Sequence, residues 1–337
     1  MGNPICLIGE APGREEVAAG KPFVGPSGKL LDTLLHRAGI VRAECYVDNV
    51  FDTQLPGNDI MALCAATRER NKWPDYLLPP LARGKWLMPQ YAAALERFQE
   101  SVRAAQPRVI VALGNTAMWA LTGFYGVQAR RGYVHECYFL PGVPVIPTYH
   151  PAAVLRQYTL WYAVVKDLAK ACRPSLFDTT AREIWLEPTL NDIDLFIKQY
   201  LVNAPYISLD IETVPKYKQI TSFAAGTASA AIVIPFVDDR RADRCYWHSP
   251  QGETEALRRV RDICQMPQPK LGQNFTYDAT WLHYYGIEVR NYSEDTRLMH
   301  HALFPELPKS LAFLGSLYAN ERAWKVMRTE KETKRDA

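Results

Sequence analysis

Residues 5–13 of the 337-residue chain read ICLIGEAPG, a short apolar run that ends in a turn rich in glycine and proline. The run predicts a buried strand over 5–8, followed by a loop over 9–28. Leucines at helical spacing then predict a helix over 29–38, which Gly39 ends. A strand that leads through a loop into a helix is the unit of a parallel α/β sheet, and such sheets bind ligands at the carboxyl ends of their strands.

The same alternation continues through the first half of the chain. Further strands are predicted over 45–50, 109–113 and 143–146, and helices over 91–105 and 116–121, the latter capped by Asn115. Residues 51–90 interrupt the pattern with prolines and glycines, and they predict a long loop insertion with a helix near 61–70. The expected fold over residues 1–175 is therefore a three-layer α/β domain with a parallel sheet.

Composition excludes several protein classes. The chain is 48% hydrophobic and 22% charged, and it has no apolar run of the about 18 residues that a transmembrane helix needs. Its start lacks a basic segment ahead of an apolar one, so no signal peptide is predicted. The seven cysteines are odd in number and include no C-x-x-C pair, which disfavours a disulfide framework and a zinc knuckle and favours reduced thiols in the cytoplasm. Residues 1–175 carry 19 Lys and Arg against 14 Asp and Glu, an excess compatible with phosphate contact.

Four side chains with complementary chemistry are expected at the carboxyl edge of the first sheet. Glu10 follows the first strand, Asn49 ends the second, His150 lies in the turn after the last, and Phe23 lies in the long loop. Excision of a base from DNA generates an oxocarbenium-like sugar and a negatively charged base, which a carboxylate and an imidazole can stabilise. An everted pyrimidine also needs an aromatic ring against its face and an amide at its Watson–Crick edge. Together, these residues predict a site that holds an everted pyrimidine and cleaves its bond to the sugar.

Several motifs in the first half carry a family resemblance. They are GEAPGREE, GKPFVGPSGKLLD, DNVFDTQLPGND, PRVIVALGNTA and HPAAVLR. With these motifs in the family's order, roughly residues 4–172 resemble family 4 of the uracil-DNA glycosylase superfamily. The roles that the resemblance implies are catalysis by Glu10 and His150, uracil binding by Gly9, Phe23 and Asn49, and DNA contact by Val154, Leu155 and Arg156.

The chain departs from this family at its cofactor. The family usually carries an iron–sulfur cluster held by four cysteines, two of which should precede the first motif. Only eight residues stand there, with Cys6 as their single cysteine, and Thr53 occupies the position of a third ligand. A thiolate cluster cannot form without its ligands, so no cofactor is expected for the glycosylase domain. The insertion over 51–90 is expected to replace the structural role of the cluster.

A second α/β pattern follows a predicted linker at 173–180. Asp210 and Glu212 directly follow an apolar strand, and alternate residues of a strand point to one face, so both can bind one metal pair. The stretches ISLDIET, QNFTYDATWL and EDTRLMHHALFPELPKSLAFLGSLY resemble the 3′–5′ exonuclease domain of family A DNA polymerases, most of all the phage versions. That resemblance implies an RNase H-like α/β domain over 176–337, with Asp210, Glu212 and Asp278 as ligands of Mg²⁺ or Mn²⁺.

The third exonuclease motif, Tyr-x-x-x-Asp, is incomplete. Asp336 is present, but Glu332 stands where the tyrosine should be, so the domain is expected to be incomplete at its C-terminal end. Two-metal cleavage without the fourth carboxylate and the tyrosine is expected to be badly weakened.

These observations lead to one expected function and two alternatives. The expected protein is an enzyme of base excision repair, a uracil-DNA glycosylase that hydrolyses the N-glycosidic bond of deoxyuridine in DNA. The alternatives are a metal-dependent 3′–5′ exonuclease that the first domain recruits to DNA, and a non-catalytic uracil reader associated with a separately encoded DNA polymerase. The expected location is the cytoplasm of a bacterium or of a phage-infected cell, without a membrane partner.

Overall fold

The computed structural model describes residues 4–73, 80–82, 84–172 and 181–319. They divide into two compact units, of which the first combines Met1–Asp178 with Ala312–Ala337 and the second is Thr179–Leu311. Residues 312–319 therefore pack with the first unit, whereas the sequence places them in the second domain. The predicted linker at 173–180 and the third exonuclease motif lie outside the described residues.

The first unit is an α/β structure centred on one mixed sheet. Its strands are β1 (Ile5–Gly9), β2 (Tyr46–Asn49), β3 (Cys64–Ala66), β4 (Lys85–Leu87), β5 (Val109–Leu113), β6 (His135–Cys137) and β7 (Leu140–Thr148). Its helices up to residue 172 are α1 (Arg14–Ala19), α2 (Pro26–Arg37), α3 (Thr67–Arg70), α4 (Ala92–Ala105), α5 (Asn115–Thr122), α6 (Val127–Arg130), α7 (Pro151–Arg156) and α8 (Trp161–Ala171). The main sheet has the order β2-β1-β5-β7-β6, and only its edge strand β6 pairs antiparallel.

Alternate residues of the central strands enter two different hydrophobic cores. Cys6 and Ile8 of β1 lie in the core that contains Phe98 of α4, whereas Leu7 lies in the core that contains Leu34 of α2. Because successive side chains of a strand point to opposite faces, a strand covered by helices on both faces must be apolar throughout. The run at 5–8 meets this requirement, and the predicted α/β class with a sheet rich in parallel strands is confirmed.

The insertion at 51–90 differs from its prediction. The helix predicted near 61–70 is reduced to the single turn α3, and β3 and β4 pair as an antiparallel ribbon instead. Leu63 and Leu87 are buried in the same core as α4. Tertiary packing therefore overrides the local helical pattern of this segment.

Two helix starts also differ from the expectation. Asn115 is the first residue of α5 rather than its cap, because Gly114 occupies the cap position with a φ of 95°. The side-chain oxygen of Asn115 instead accepts a hydrogen bond from the amide of Val127 at 2.7 Å. Helix α2 begins at Pro26, three residues before the predicted start, since proline is favoured at the first helical position.

The second unit is also an α/β structure with a mixed sheet. Its strands are β8 (Glu183–Trp185), β9 (Ile207–Val214), β10 (Gln219–Gly226), β11 (Ala230–Pro235), β12 (Lys270–Gly272) and β13 (Tyr292–Asp295). Its helices are α9 (Leu190–Phe196), which continues as a π-helical turn over Ile197–Leu201, α10 (Pro250–Gln265), α11 (Thr276–Tyr284) and α12 (Thr296–Leu303). The sheet order is β13-β12-β9-β10-β11-β8, with β10 antiparallel to both of its neighbours.

A last helix, α13 (Leu311–Tyr318), follows the second unit in sequence and packs with the first unit from Ala312 onward. No helix in the described ranges is long and apolar enough to cross a membrane.

Candidate active site

A cavity of about 690 Å³ opens at the carboxyl edge of the main sheet in the first unit. Its lining includes the four residues predicted to hold and excise a base, namely Glu10, Phe23, Asn49 and His150. Glu10 follows β1, Asn49 ends β2 and His150 follows β7 by two residues. Because these strands run parallel, their carboxyl ends meet at one edge and bring distant side chains together.

Glu10 is held in the cavity by two hydrogen bonds. Its carboxylate accepts a bond from the Thr116 hydroxyl near the start of α5, and its backbone carbonyl accepts one from the amide of Phe51 at 3.0 Å. Burial raises the pKa of this carboxyl above its usual 4.5, the bond from Thr116 lowers it in part, and the charge of Asp59 adds to the increase. The carboxylate is therefore oriented by a donor in a poorly solvated place.

Phe23 forms one wall of the cavity in an unusual backbone conformation. Its φ of 55° is in the left-handed region, which costs a bulky residue on the order of 1–3 kcal/mol. The guanidinium of Arg42 donates hydrogen bonds to the carbonyls of Pro22 and Phe23, both at 3.0 Å. Gly28 packs so closely on this turn that a Cβ there would lie 1.8 Å from the carbonyl oxygen of Phe23. The Phe23 ring is thereby held 5.7 Å, between centroids, from the imidazole of His150.

Asn49 lies beside Gly9, its register partner on β1. A Cβ at Gly9 would lie 2.3 Å from Oδ1 of Asn49 and 2.6 Å from Cζ of Phe23, so the glycine makes room for both side chains. The backbone of Asn49 is held on both sides, since Arg97 donates to its carbonyl at 3.0 Å and Asp48 accepts from its amide at 2.8 Å. These contacts place a buried wall of carboxamide and aromatic ring at the end of β1.

His150 caps the amino end of α7. Its Nδ1 accepts a hydrogen bond from the amide of Ala152 at 3.1 Å, so the hydrogen of the neutral ring lies on Nε2. Burial, and then the charge of Arg156, lower the pKa of the imidazole to about 4, against a smaller opposite effect of Glu16. The ring is therefore neutral at pH 7 and keeps one N–H donor. Gly114 packs against His150, and a Cβ added to Gly114 would lie 3.2 Å from the Cβ of His150.

The three residues predicted to contact DNA occupy different positions on α7. Arg156 lines the cavity, and Leu155 is 52% exposed. Val154 is fully buried in the core shared with Val164 of α8, which corrects the expectation that it contacts DNA. Its side chain supports the helix from the inside, because helical periodicity turns it away from the face that exposes Leu155.

The sequence of the first unit matches a known family. Residues 2–173 match the family described as the uracil DNA glycosylase superfamily. The chain belongs to the uracil-DNA glycosylase superfamily. It is 33% identical over 169 residues to the type-4 uracil-DNA glycosylase of Thermotoga maritima, a match that covers 50% of this chain and 75% of that protein. It is 31% identical over 186 residues to that of Archaeoglobus fulgidus, covering 52% and 81%, and 34% identical over 171 residues to that of Pyrobaculum aerophilum, covering 49% and 74%.

Solved exonuclease domains show a weaker similarity. The crystal structure of the EXD2 exonuclease domain soaked in Mg is 18% identical with a TM-score of 0.27, covering 46% of this chain and 82% of that one. The EXO domain of Aedes aegypti Nibbler is 13% identical with a TM-score of 0.31, covering 46% and 80%.

The cysteines of this superfamily member do not fit a four-thiolate cluster. None of the seven cysteines, all of which lie in the described ranges, forms a disulfide. Nowhere in the described ranges do three or more His, Cys, Asp or Glu side chains form a group that could hold a metal ion. Cys6 is buried within β1, and burial raises the pKa of its thiol to about 12, so it stays protonated at pH 7.

The carboxylates predicted to bind metal lie in the second unit. Asp210 and Glu212 are on the exposed face of β9, within the strand rather than after it. Asp278 of α11 is buried, and its Oδ1 accepts a hydrogen bond from the amide of Ile211 at 3.0 Å. Burial, aided by the charges of Asp210 and Asp295, raises the pKa of Asp278 to about 6 although the Ile211 bond opposes this. Among the described residues these side chains do not form a three-ligand group, and the metal site stays a prediction.

Sequence reasoning missed the residues that hold the site in place. Thr116 binds the carboxylate of Glu10 from 106 residues away. Arg42 binds the carbonyl of Phe23 from 19 residues away, and Arg97 binds the carbonyl of Asn49 from 48 residues away. Thr116 lies in the motif PRVIVALGNTA, so its place in a quoted motif was a signal. Neither Arg42 nor Arg97 lies in a sequence motif that would predict its contact with the site.

The insertion contributes a further wall of the cavity. Leu55 and residues 58–61 line it, as does Tyr125 of the loop between α5 and α6. Tyr125 and Glu10 line the same cavity, and burial, followed by the charge of Glu10, raises the pKa of the Tyr125 hydroxyl. The expected structural role of the insertion therefore extends to shaping the site.

Proposed function

We propose that the first unit hydrolyses the N-glycosidic bond of deoxyuridine in DNA, as an enzyme of base excision repair. The observation that carries this proposal is the single cavity in which a carboxylate, an aromatic ring, a carboxamide and a neutral imidazole meet. Relatives that share 31–34% identity with the first half of the chain are named type-4 uracil-DNA glycosylases. Uracil-containing DNA is accordingly the proposed partner.

Recognition of uracil is assigned to Phe23, Asn49 and Gly9. The ring of Phe23 offers a face on which an everted base stacks. The carboxamide of Asn49 offers one donor and one acceptor, which pair with O4 and N3–H of uracil. Cytosine presents a donor and an acceptor in the reverse order at these positions, so an amide held in one orientation rejects it. Gly9 supplies the room in which both side chains fit.

Catalysis is assigned to Glu10 and His150. The bond between C1′ and N1 breaks with its electron pair leaving on the base, the oxygen of water bonds to C1′, and the proton that water loses ends on uracil. The Glu10 carboxylate stabilises the positive charge on the sugar and orients the water. The Nε2–H of His150 donates to uracil O2, where negative charge develops, and a neutral ring with a low pKa does this without first releasing a proton.

Contact with the DNA strand is assigned to the exposed part of α7. Arg156 stands at the cavity and carries a charge suited to a phosphate, and Leu155 exposes an apolar side chain next to it. An apolar wedge that fills the gap left by an everted nucleotide lowers the cost of eversion.

The test is release of uracil from a labelled oligonucleotide with one deoxyuridine, in EDTA, followed by cleavage of abasic sites with alkali. We expect cleavage at the uracil position alone. Glu10→Gln should lower the rate by at least about 100-fold, the size of effect usual for a catalytic carboxylate. Glu15→Gln is the matched control, because Glu15 is exposed on α1 and does not line the cavity. Intact strands with the wild-type protein in excess would contradict the proposal.

A binding measurement and an assay with Mg²⁺ separate the two alternatives. Tight binding of uracil-DNA that is lost in Phe23→Ala, without any abasic product, would identify a uracil reader. Shortening of uracil-free strands that needs Mg²⁺ and is abolished by Asp210→Ala would identify an exonuclease.

The remaining expectations stay predictions. A cytoplasmic location in a bacterial or phage-infected cell, and an association with a separately encoded DNA polymerase, follow from the proposed repair function and the exonuclease resemblance of the second unit.

A further inference from the structure

Helix α13 packs with the first unit through buried charges. Lys170 of α8 is 5% exposed, and its ammonium donates to the carbonyls of Gly132, Ser316 and Ala319 at 2.7, 2.6 and 2.8 Å. An ammonium has three donors, and its burial is tolerated only when those donors are bonded. Two of the three acceptors belong to residues 312–319, so the first unit depends on this segment to satisfy a buried cation.

Arg131 connects the same segment to the strand that leads to His150. Its side chain is 1% exposed, its Nη1 donates to Oγ of Ser316 at 2.8 Å, and its Nε donates to Asp167 at 2.7 Å. Asp167 is fully buried and also accepts a bond from the hydroxyl of Thr148, the last residue of β7, at 2.7 Å. A continuous path of hydrogen bonds therefore joins α13 to the end of β7, two residues before His150.

Ring contacts of Arg131 follow a parallel path. Its Cζ lies 5.1 Å from the ring centroid of Phe313 on α13 and 6.0 Å from that of Tyr149. Tyr149 lines the cavity and directly precedes His150 in the chain. A guanidinium at these distances is attracted to the face of a ring. The guanidinium is thus in contact with α13 on one side and with the cavity wall on the other.

We propose that residues 312–319 position His150 through Arg131 and Asp167. The second unit then lies, in sequence, between two segments of the first, and the site is incomplete without the segment that follows it. Arg131 and Asp167 act as positioning residues, because neither lines the cavity. Asp167 accepts a bond from Thr148, and Arg131 binds Asp167 and lies over the ring of Tyr149. The effect on catalysis rests on the proposed function, whereas the effect on the position of His150 does not.

The test uses Ser316→Ala in the full chain, because it removes one acceptor of Arg131 without changing any charge. We expect the single-turnover rate of uracil release at saturating DNA to fall about tenfold while the DNA affinity is unchanged, since a misplacement of about 1 Å can cost about 100-fold. Ser229→Ala, in the exposed turn between β10 and β11, is the matched control and should leave the rate unchanged. An unchanged rate in Ser316→Ala would overturn the catalytic part of the proposal.

A double-mutant cycle distinguishes positioning from a general loss of stability. If Ser316 acts through the imidazole, Ser316→Ala should have no further effect in a His150→Gln background, because groups that act through one another are not additive. An equal loss in both backgrounds would overturn the proposal. Lys170→Met, which removes the charge beside α13, should show the same dependence on His150.

Hydrogen exchange tests the position of the ring without any catalysis. The amides of Ala152 and Ala153 bond to Nδ1 and to the backbone oxygen of His150, at 3.1 and 2.8 Å. We expect both amides to exchange faster in Ser316→Ala than in the wild-type protein or in Ser229→Ala. Unchanged exchange would overturn the proposal even if the wild-type protein releases uracil. Faster exchange in a protein that releases none would support positioning while the proposed function fails.

Discussion

Gly9 stands where two other side chains need the space. The methyl group of Gly9→Ala would lie 2.3 Å from Oδ1 of Asn49 and 2.6 Å from Cζ of Phe23, so at least one of them must move. We expect uracil release to fall by at least about 100-fold and the Tm to fall by a few degrees. Gly142→Ala is the control, because its φ of 81° makes alanine strained while nothing lies within 4 Å of the new methyl group. Both variants should lose stability, and an equal loss of rate in both would contradict the role of Gly9.

We expect the ionisation of Glu10 to control how the rate depends on pH. The carboxyl must be ionised, so kcat/KM falls as pH falls, and because burial raises its pKa the midpoint of this acid limb lies above 4.5. Thr116→Val removes a bond that lowers this pKa, so it should move the limb to higher pH without changing the rate at its plateau as strongly. A pH–rate profile of both proteins checks this. A limb that stays in place in Thr116→Val would show that another group controls the rate.

The same profile tests the charge of His150. Its pKa of about 4 keeps the ring neutral at every pH above about 5, so the imidazole should add no second limb between pH 5 and 8. A limb near pH 6.5 that disappears in His150→Gln would contradict a neutral donor.

At the scale of elements, two adjacent residues of α7 differ in role. Val154 supports the helix from the core, and the exposed Leu155 is proposed to contact DNA. Val154 is fully buried, so Val154→Ala should lower the free energy of unfolding by about 2 kcal/mol and leave the affinity for DNA unchanged. Leu155 is 52% exposed, so Leu155→Ala should leave stability within about 0.5 kcal/mol and slow excision from duplex DNA more than from single strands. Chemical denaturation and excision from both substrates measure the two effects. Loss of duplex excision in Val154→Ala alone would reverse the assignment.

The elements that the sequence predicts well are those with a continuous apolar run. Strands β1, β5 and β7 lie within a few residues of their predicted ranges, because burial between two helical layers demands such runs. The edge strand β2 also lies close to its predicted range, although most of its residues are only half-buried. Helix α1 has six residues and no buried side chain, so it gives no periodic signal. The ribbon of β3 and β4 is decided by the core it joins rather than by its own residues.

The residues of the candidate site also divide into those that the sequence predicts and those that it does not. Glu10, Asn49 and His150 are predictable because they lie at strand ends and in motifs, and parallel strands bring such ends to one edge. The side chains that hold them are not, because the bond from Thr116 to Glu10 joins residues 106 positions apart. Val154 and Leu155 are neighbours in one motif, and only the packing of α7 decides which of them is exposed.

At the scale of the whole molecule, the division of the chain into units is the property least visible in the sequence. Helix α13 contains apolar residues that would suit a core in either unit, and it lies at the end of a stretch that resembles an exonuclease domain. The carbonyls of Ser316 in this helix and of Ala319 just after it accept hydrogen bonds from Lys170, which associates the segment with the first unit. A buried cation whose acceptors come from both Gly132 and residues 312–319 is a physical reason for a unit built from two segments of the chain.

The second unit carries a buried acid whose charge works against its stability. Asp278 is 5% exposed, and its pKa is raised from 3.8 to about 6. The folded state therefore binds this proton more tightly than the unfolded state, so the stabilisation from protonation is fully present below about pH 4 and is lost as pH rises through about 6. Asp278→Asn removes the charge and keeps an oxygen that accepts the bond from Ile211. We expect it to stabilise the second unit at pH 7 by about 1–3 kcal/mol and to flatten the dependence of stability on pH between 4 and 7.

Calorimetry of the full chain measures this change. The unfolding transition of the second unit is the one whose Tm changes in Asp278→Asn and not in Val154→Ala. Asp262→Asn, at an exposed position of α10, is the control. A lower Tm in Asp278→Asn would show that the carboxylate is needed in its charged form.

Excess Mg²⁺ tests the predicted metal site in the same two proteins. An ion bound by Asp210, Glu212 and Asp278 would stabilise the wild-type protein by mass action and leave Asp278→Asn almost unchanged. Stabilisation of the wild-type protein alone would support the predicted metal site, and equal, small effects of Mg²⁺ on both proteins would contradict it.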